Sequence, residues 1–294
     1  MLFSYKKNEA STINLLKQFF QLSLSFRPTL LAGLFIFTLS FTACEKVITL
    51  DLNSAEKKYV IEAEITDQPN SCKVSLTQTK NFGDNNTFNG VSGAQVTITD
   101  NNGSPLSLTE TSAGVYEAVS FKGVPGHTYN LTVRIAGQTF TATSKMPLLV
   151  SFDSLYITER TIFGETNKYA TLAYVDPAGR GNAYRYIQYV NGIKEKTIFV
   201  RDDDLTDGKA IERILFFFNN DDEKDEKKLK KGDQVRVEML CIDYPVYKYW
   251  YSLVQSSTGE NQSATPGNPV TNINGGALGY FSAHTIRSKT TVVR

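Results

Sequence analysis

The side chains that could carry acid–base, nucleophilic or metal chemistry are few and scattered. The 294 residues hold two histidines, His127 and His284. Neither stands at a recognisable spacing from a serine, a cysteine or the other histidine, and there is no HExxH, GxSxG or P-loop pattern. His127 shares the inward parity of a strand start and His284 lies in the last strand region, so both are expected to be structural. The densest acidic cluster is Asp202-Asp203-Asp204 with Asp207 and Gly208. Hard cations want several carboxylate oxygens from one loop, which makes Asp202, Asp204 and Asp207 the candidate calcium ligands. The EF-hand order fails, however. Counting from Asp203, Gly208 falls at the sixth place, but Leu205 occupies a ligand place and no glutamate closes the loop. A turn whose aspartates cap backbone amides is the simpler reading. Glycosidase chemistry needs two facing carboxylates, and 30 acidic residues make a chance pair uninformative. No catalytic residue, cofactor or metal is assigned, and the chain is expected not to be an enzyme.

Cys44 carries a clearer chemistry. Thr29 to Ala43 reads TLLAGLFIFTLSFTA, an apolar run preceded by Lys17 and Arg27. It is shorter than the roughly 20 apolar residues of a comfortable membrane span. A charged leader, an apolar run of this length and a small residue before the cut describe a signal peptide over residues 1–43. Phe41-Thr42-Ala43-Cys44 resembles a bacterial lipobox, with Phe41 in place of the usual leucine, so Cys44 is the expected site of lipidation. Residues 44–55 then form a tether. The remaining thiols, Cys72 and Cys241, each alternate with apolar neighbours and are expected to face cores.

Charge excludes some partners. The whole chain has 31 basic and 30 acidic groups; residues 1–43 hold Lys6, Lys7, Lys17, Arg27 and Glu9, so the remainder carries a net charge of −2. That offers no basic stripe for nucleic acid and no polybasic patch for a membrane surface. Membrane attachment falls to the N-terminal lipid.

The positioning elements are strands. Tyr59, Ile61, Ala63 and Ile65 alternate with Glu62 and Glu64, a half-buried antiparallel pattern. Similar runs follow at 72–79, 94–100, 106–109, 115–120, 127–135 and 139–146, separated by turn residues such as Gly123-Val124-Pro125-Gly126. This spacing predicts an Ig-like or transthyretin-like Greek-key β-sandwich over residues 56–147. Tyr129, just after Pro125-Gly126, suits either a tyrosine corner or an ordinary core position. Pro147 marks the expected boundary of a second β-rich domain, residues 148–294. Its strands are expected at 152–159, 168–175, 184–190, 196–200, 211–218, 234–242, 278–284 and 290–293. Ile214 to Phe218 is apolar throughout, as in a strand covered on both faces. Residues 219–233 read as a solvated charged loop. One helix is expected at 245–257, opened by Pro245, with Tyr247, Trp250, Tyr251 and Val254 as one stripe. Tyr244, Tyr247, Tyr249, Trp250 and Tyr251 exceed what one buried stripe absorbs. Tyr247, Tyr249, Trp250 and Tyr251, with the glycine-rich loop 259–276, are therefore the candidate binding surface. The competing expectation is that these rings wedge between helix and sheet.

Several stretches carry a family resemblance. They are Cys44-Glu45-Lys46-Val47-Ile48 through Asp51-Leu52, Tyr59 to Ala63, Val91 to Ile98, Asp176-Pro177-Ala178-Gly179, and Asn272 to Phe281, together with the helix bearing Tyr247 and Trp250. In order and spacing the chain resembles a Bacteroidota lipoprotein family, Domain of Unknown Function 4249. Members are often encoded beside TonB-dependent receptors of the SusC type. The resemblance implies an outer-membrane accessory lipoprotein that captures or passes a ligand to such a transporter; periplasmic and surface-facing orientations both fit. The alternatives are a structural or adhesive envelope protein and, last, a carboxylate-dependent hydrolase.

Overall fold

Strand alternation dictates most of the architecture. The structure is a computed structural model that describes residues 56–294 except 82–84, 86, 102, 104, 163, 218–227 and 258–266. The expected signal peptide, Cys44 and the tether lie outside the described residues, as do most of the charged run and much of the glycine-rich loop. In chain order the elements are β1 (Tyr59–Thr66), β2 (Cys72–Gln78), β3 (Gln95–Asp100), β4 (Leu106–Ser107), β5 (Thr109–Ser112), β6 (Val115–Ala118), β7 (Thr128–Ile135) and β8 (Gln138–Lys145). Then come β9 (Phe152–Ile162), β10 (Glu165–Val175), β11 (Ala183–Val190), β12 (Ile193–Lys194), β13 (Phe199–Asp202), β14 (Ala210–Ile214) and β15 (Gln234–Ile242). The helix α1 (Tyr244–Ser257), β16 (Ile273–Asn274) and β17 (Leu278–Val292) complete the chain. The fold is mainly β, as expected.

Three sheets build two sandwiches. A nine-stranded sheet runs β12-β11-β15-β17-β1-β2-β6-β5, with β13 also paired to β11. A five-stranded sheet, β16-β8-β7-β3-β4, closes the first sandwich, and a three-stranded sheet, β14-β10-β9, closes the second. In the first core, Ile61, Ala63 and Ile65 of β1 meet Leu131 and Val133 of β7 and Phe140 of β8. In the second, Tyr184 and Tyr186 of β11 and Val235, Val237 and Met239 of β15 meet Tyr169, Leu172 and Tyr174 of β10. Cys72 and Cys241 are free and buried in separate cores. Desolvation pushes the Cys72 thiol up to about 12, so it remains protonated and inert at neutral pH.

The tyrosine-corner alternative is the one observed. The Val124 N–H donates to the Tyr129 hydroxyl oxygen at 2.7 Å, and the Tyr129 ring is fully buried. This ties the Pro125-Gly126 connection to the strand that follows it.

Strand β17 differs most from the sequence reading. Two strands were expected, 278–284 and 290–293; the structure has one strand of 15 residues. Its first half pairs in parallel with β1, from Val60↔Leu278 to Thr66↔His284. Its second half pairs antiparallel with β15, from Cys241↔Thr285 to Gln234↔Val292. One strand therefore belongs to both sandwiches, and Ile273, Ala277, Phe281 and Ala283 sit in the first core. The chain crosses the expected boundary at Pro147 by pairing long after it has passed it. A further correction concerns 211–218: β14 ends at Ile214, and Leu215 to Phe217 continue as buried or half-buried loop residues. The Leu215 N–H still donates to the Ala170 carbonyl at 2.9 Å, and the apolar run reflects burial in the second core. Likewise the expected strand 196–200 is replaced by β12 and β13 on either side of Lys196-Thr197.

Candidate functional site

The helix α1 is placed by its cap. Asp243 Oδ1 accepts the Val246 N–H at 3.2 Å, an N-cap bond. Asp243 Oδ2 also accepts the Ser144 hydroxyl at 2.9 Å and the Lys145 N–H at 3.0 Å, while Ser144 Oγ accepts the Ala283 N–H at 2.9 Å. One carboxylate thus joins the helix start to β8, and the serine carries the link on to β17. Burial raises the Asp243 pKa, and these donors oppose the shift.

So anchored, α1 lies on the face of β11, β15 and β17 that points away from the second core. Val246, Tyr247, Tyr249 and Trp250 pack there with Ala183, Leu240, Ile242 and Tyr280. The rings interlock: Tyr249 and Tyr280 have centroids 4.8 Å apart, and Trp250 and Tyr280 5.1 Å. The expected binding surface is therefore largely interior. Tyr247, Tyr249 and Trp250 are each under a tenth exposed, and the wedge expectation holds for them. Tyr251 is 46% exposed and Tyr244 48%. Of the predicted stripe, Tyr247 and Trp250 are buried, Val254 is half-buried and Tyr251 is exposed; the buried face extends to Val246, Tyr249 and Leu253. Both sets satisfy helical spacing, so periodicity alone did not show how wide the buried face is.

A residue that sequence reasoning passed over defines the site beside this helix. Arg185 is the charged member of the alternating strand β11 and is only 7% exposed. Its guanidinium carbon lies 3.4 Å from the Trp250 ring centroid, a cation–π contact. Burial lowers its pKa, and the Tyr280 hydroxyl and the Glu64 charge oppose that shift. Among the described residues no carboxylate makes a salt bridge to it. Glu64 is instead engaged by Tyr280, whose hydroxyl donates to it at 2.6 Å. Arg185 and Trp250 line a cleft of about 370 Å³ with Lys194, Glu195, Lys196 and Ile198. Three cations and one anion thus face this space. The only signal in sequence was an arginine breaking the apolar run of a strand, Tyr184-Arg185-Tyr186.

Each histidine ring lies against a neighbouring polar side chain. His127 Nδ1 lies 2.8 Å from Asp100 Oδ2 across neighbouring strands. His284 is buried with Nδ1 2.9 Å from Ser282 Oγ, and burial holds its pKa below the usual range.

The acidic cluster is rearranged relative to expectation. Asp204 is exposed, and Asp202 ends β13 facing the Tyr247 hydroxyl, so neither joins Asp207. The carboxylates that do converge are Asp176, Asp203 and Asp207, with one oxygen from each lying within 4.8 Å of the others. Topology explains this. Val175 pairs with Ala210, and Ala183 pairs with Asp202, so the loops 176–182 and 203–209 leave the sheets side by side. Asp203 accepts the Gly181 N–H at 3.0 Å and the Asn182 N–H at 2.9 Å, and Asp207 accepts the Gly179 N–H at 2.7 Å. The capping role read from sequence is real, but across two loops and not within one. Asp176 accepts the Tyr184 hydroxyl through Oδ1. Its pKa is raised by burial and by the neighbouring Asp203 and Asp207, against the Tyr184 hydroxyl and the Gly208 backbone amide.

A second cleft, of about 620 Å³, lies where Pro147 and Leu148 meet the loop 177–182 and Tyr244. Leu148 is 72% exposed at its rim.

Comparison with known proteins places these features in a family. No curated protein matches the chain. Among solved structures, a two-domain fibronectin type III segment from chicken tenascin is 12% identical, covers 63% of this chain and 91% of its own, and superposes with a TM-score of 0.20. The family described as Domain of unknown function (DUF4249) matches over residues 45–290, which takes in the helix, the Arg185 cleft and all of the strands but the last two residues of β17. The chain belongs to that family.

Proposed function

We propose that this protein is a lipid-anchored, non-enzymatic binding protein of the bacterial envelope. It captures a small anionic ligand at the Arg185 cleft and presents it to a TonB-dependent transporter of the outer membrane. One observation carries the ligand assignment: a nearly buried guanidinium, stacked on Trp250 and facing a cleft with Lys194, Glu195 and Lys196, to which no carboxylate among the described residues makes a salt bridge. Trp250 and the Tyr280 hydroxyl already contact this guanidinium, and an arriving anion would add the direct ion pair that a buried charge favours. The cleft volume lies within the range of small-ligand sites. The membrane location rests on the lipobox-like Phe41-Thr42-Ala43-Cys44, and the transporter partnership on the resemblance to envelope lipoproteins. The apolar rim at Leu148 and Tyr244 offers a face for a protein partner.

The test is purification of the tagged full chain from its own membranes in mild detergent. The proposal expects a stable complex with a β-barrel receptor, and fatty-acid labelling that Cys44→Ala abolishes. Recovery of the chain alone would contradict the partnership. Labelling of the Cys44→Ala variant would contradict the anchor.

A further inference from the structure

We propose that Asp176, Asp203 and Asp207 form a calcium site that pins the loop 176–182 to the turn 203–208. Three carboxylates converge within 4.8 Å, and their ligand atoms are all oxygens, the set a hard divalent cation selects. Like charges at that separation repel, and proximity alone would not make a site. The second observation is Asp176. It is 1% exposed, its Oδ1 is taken by the Tyr184 hydroxyl, and its Oδ2 is buried with no hydrogen-bond partner. A buried carboxylate oxygen without a partner is destabilising, and it belongs to the group on which Asp203 and Asp207 converge.

The surrounding chain suits calcium better than magnesium. Gly179, Gly181 and Gly208 all have positive φ, giving two tightly turned, glycine-hinged loops able to adapt to a large, irregular coordination shell. Asp203 and Asp207 each hold backbone amides of the opposite loop, so their carboxylates are already oriented before an ion arrives. The ion would replace mutual repulsion with a shared attraction and tie the edge of the second sandwich together. Asp202 and Asp204, which sequence order suggested, contribute nothing to the site.

The experiment uses the full chain in detergent, freed of metal with a chelator and titrated calorimetrically with calcium chloride alone. Terbium serves as a luminescent substitute, sensitised by Tyr184 beside Asp176. The expected result is saturable binding with Kd of about 10⁻⁴–10⁻³ M, as in extracellular calcium modules, weaker binding of magnesium, and a raised Tm. Asp207→Asn, which keeps an oxygen for the Gly179 amide, should weaken binding at least about tenfold with an unchanged circular dichroism spectrum. Asp203→Asn should do the same; if it fails to fold, Asp207→Asn decides. No saturable binding at about 10 mM calcium, well above that range, would overturn the proposal and leave a shared proton as the reason for the cluster. Binding that survives in Asp207→Asn would place the ion elsewhere and overturn it equally. Magnesium binding as tight as calcium would overturn the choice of ion.

Discussion

Trp250 has Arg185 over its ring face and the Tyr249 and Tyr280 rings around its edges. Tyr249 is therefore a packing residue. Its change to alanine should destabilise the protein by about 3–4 kcal/mol, within the usual range for removing a large buried ring. Tyr251 is half-exposed and stacks on Tyr247 at 5.6 Å. Tyr251→Ala should lower stability by no more than about 1 kcal/mol. Urea denaturation checks both, and equal losses would mean that Tyr251 also packs into the core. The same burial sets the behaviour at high pH. Burial, with Glu62 nearby, pushes Tyr249 up to about 12, and Tyr184, Tyr186 and Tyr280 are raised for the same first reason. An unfolded tyrosine loses its proton near 10. The stability these groups contribute is thus fully present below about pH 10 and is lost as pH rises toward 12. Absorbance at 295 nm should show delayed tyrosine ionisation that coincides with loss of β-sheet ellipticity. Smooth titration near pH 10 with the sheet intact would contradict this.

At the scale of elements, β17 depends on one glycine. Gly279 has φ +97°, and a Cβ there would strike the Ile61 carbonyl on the parallel partner strand β1. Gly279→Ala should cost about 1–3 kcal/mol from backbone strain, with further loss from broken pairing. Amide exchange should reveal it as lost protection across Ile61 to Ile65; unchanged protection would contradict the pairing. Most strands were legible because their two faces differ: Ile61, Ala63 and Ile65 against Glu62 and Glu64 leaves little choice. The continuity of β17 was not legible. Residues 285–289, Thr-Ile-Arg-Ser-Lys, carry no clear alternation, and the strand is held there by β15 instead of by its own pattern. The helix was legible in extent, but its buried face is wider than the single stripe read from the period, taking in Val246 and Tyr249 beside Tyr247 and Trp250. The Arg185 cleft was illegible because sequence shows an arginine in a strand but not the tryptophan 65 positions later that lies against it.

In the whole molecule, two sandwiches share a strand, and this bears on how the chain folds. Residues 56–147 were expected to stand alone. Their core, however, includes Ile273, Phe281 and Ala283, and β1 pairs with β17 over seven register positions from Val60 to Thr66. Expressed alone, this fragment should show a broad, non-cooperative thermal transition, whereas residues 56–294 should unfold as a unit; a sharp transition in the fragment would contradict the shared core. The central claim is that this composite body presents an anion-capturing cleft at Arg185, and Trp250, the only tryptophan in the chain, reports on it directly. The decisive measurement is Trp250 fluorescence in the full chain, titrated at low salt with sulfate, phosphate and citrate. The account predicts a saturable change with at least one of these anions, weakened by at least about tenfold in Arg185→Gln, in line with losing a charge-assisted contact of about 1.5–3 kcal/mol. A flat response to all three anions, or an equal response from Arg185→Gln, would contradict it.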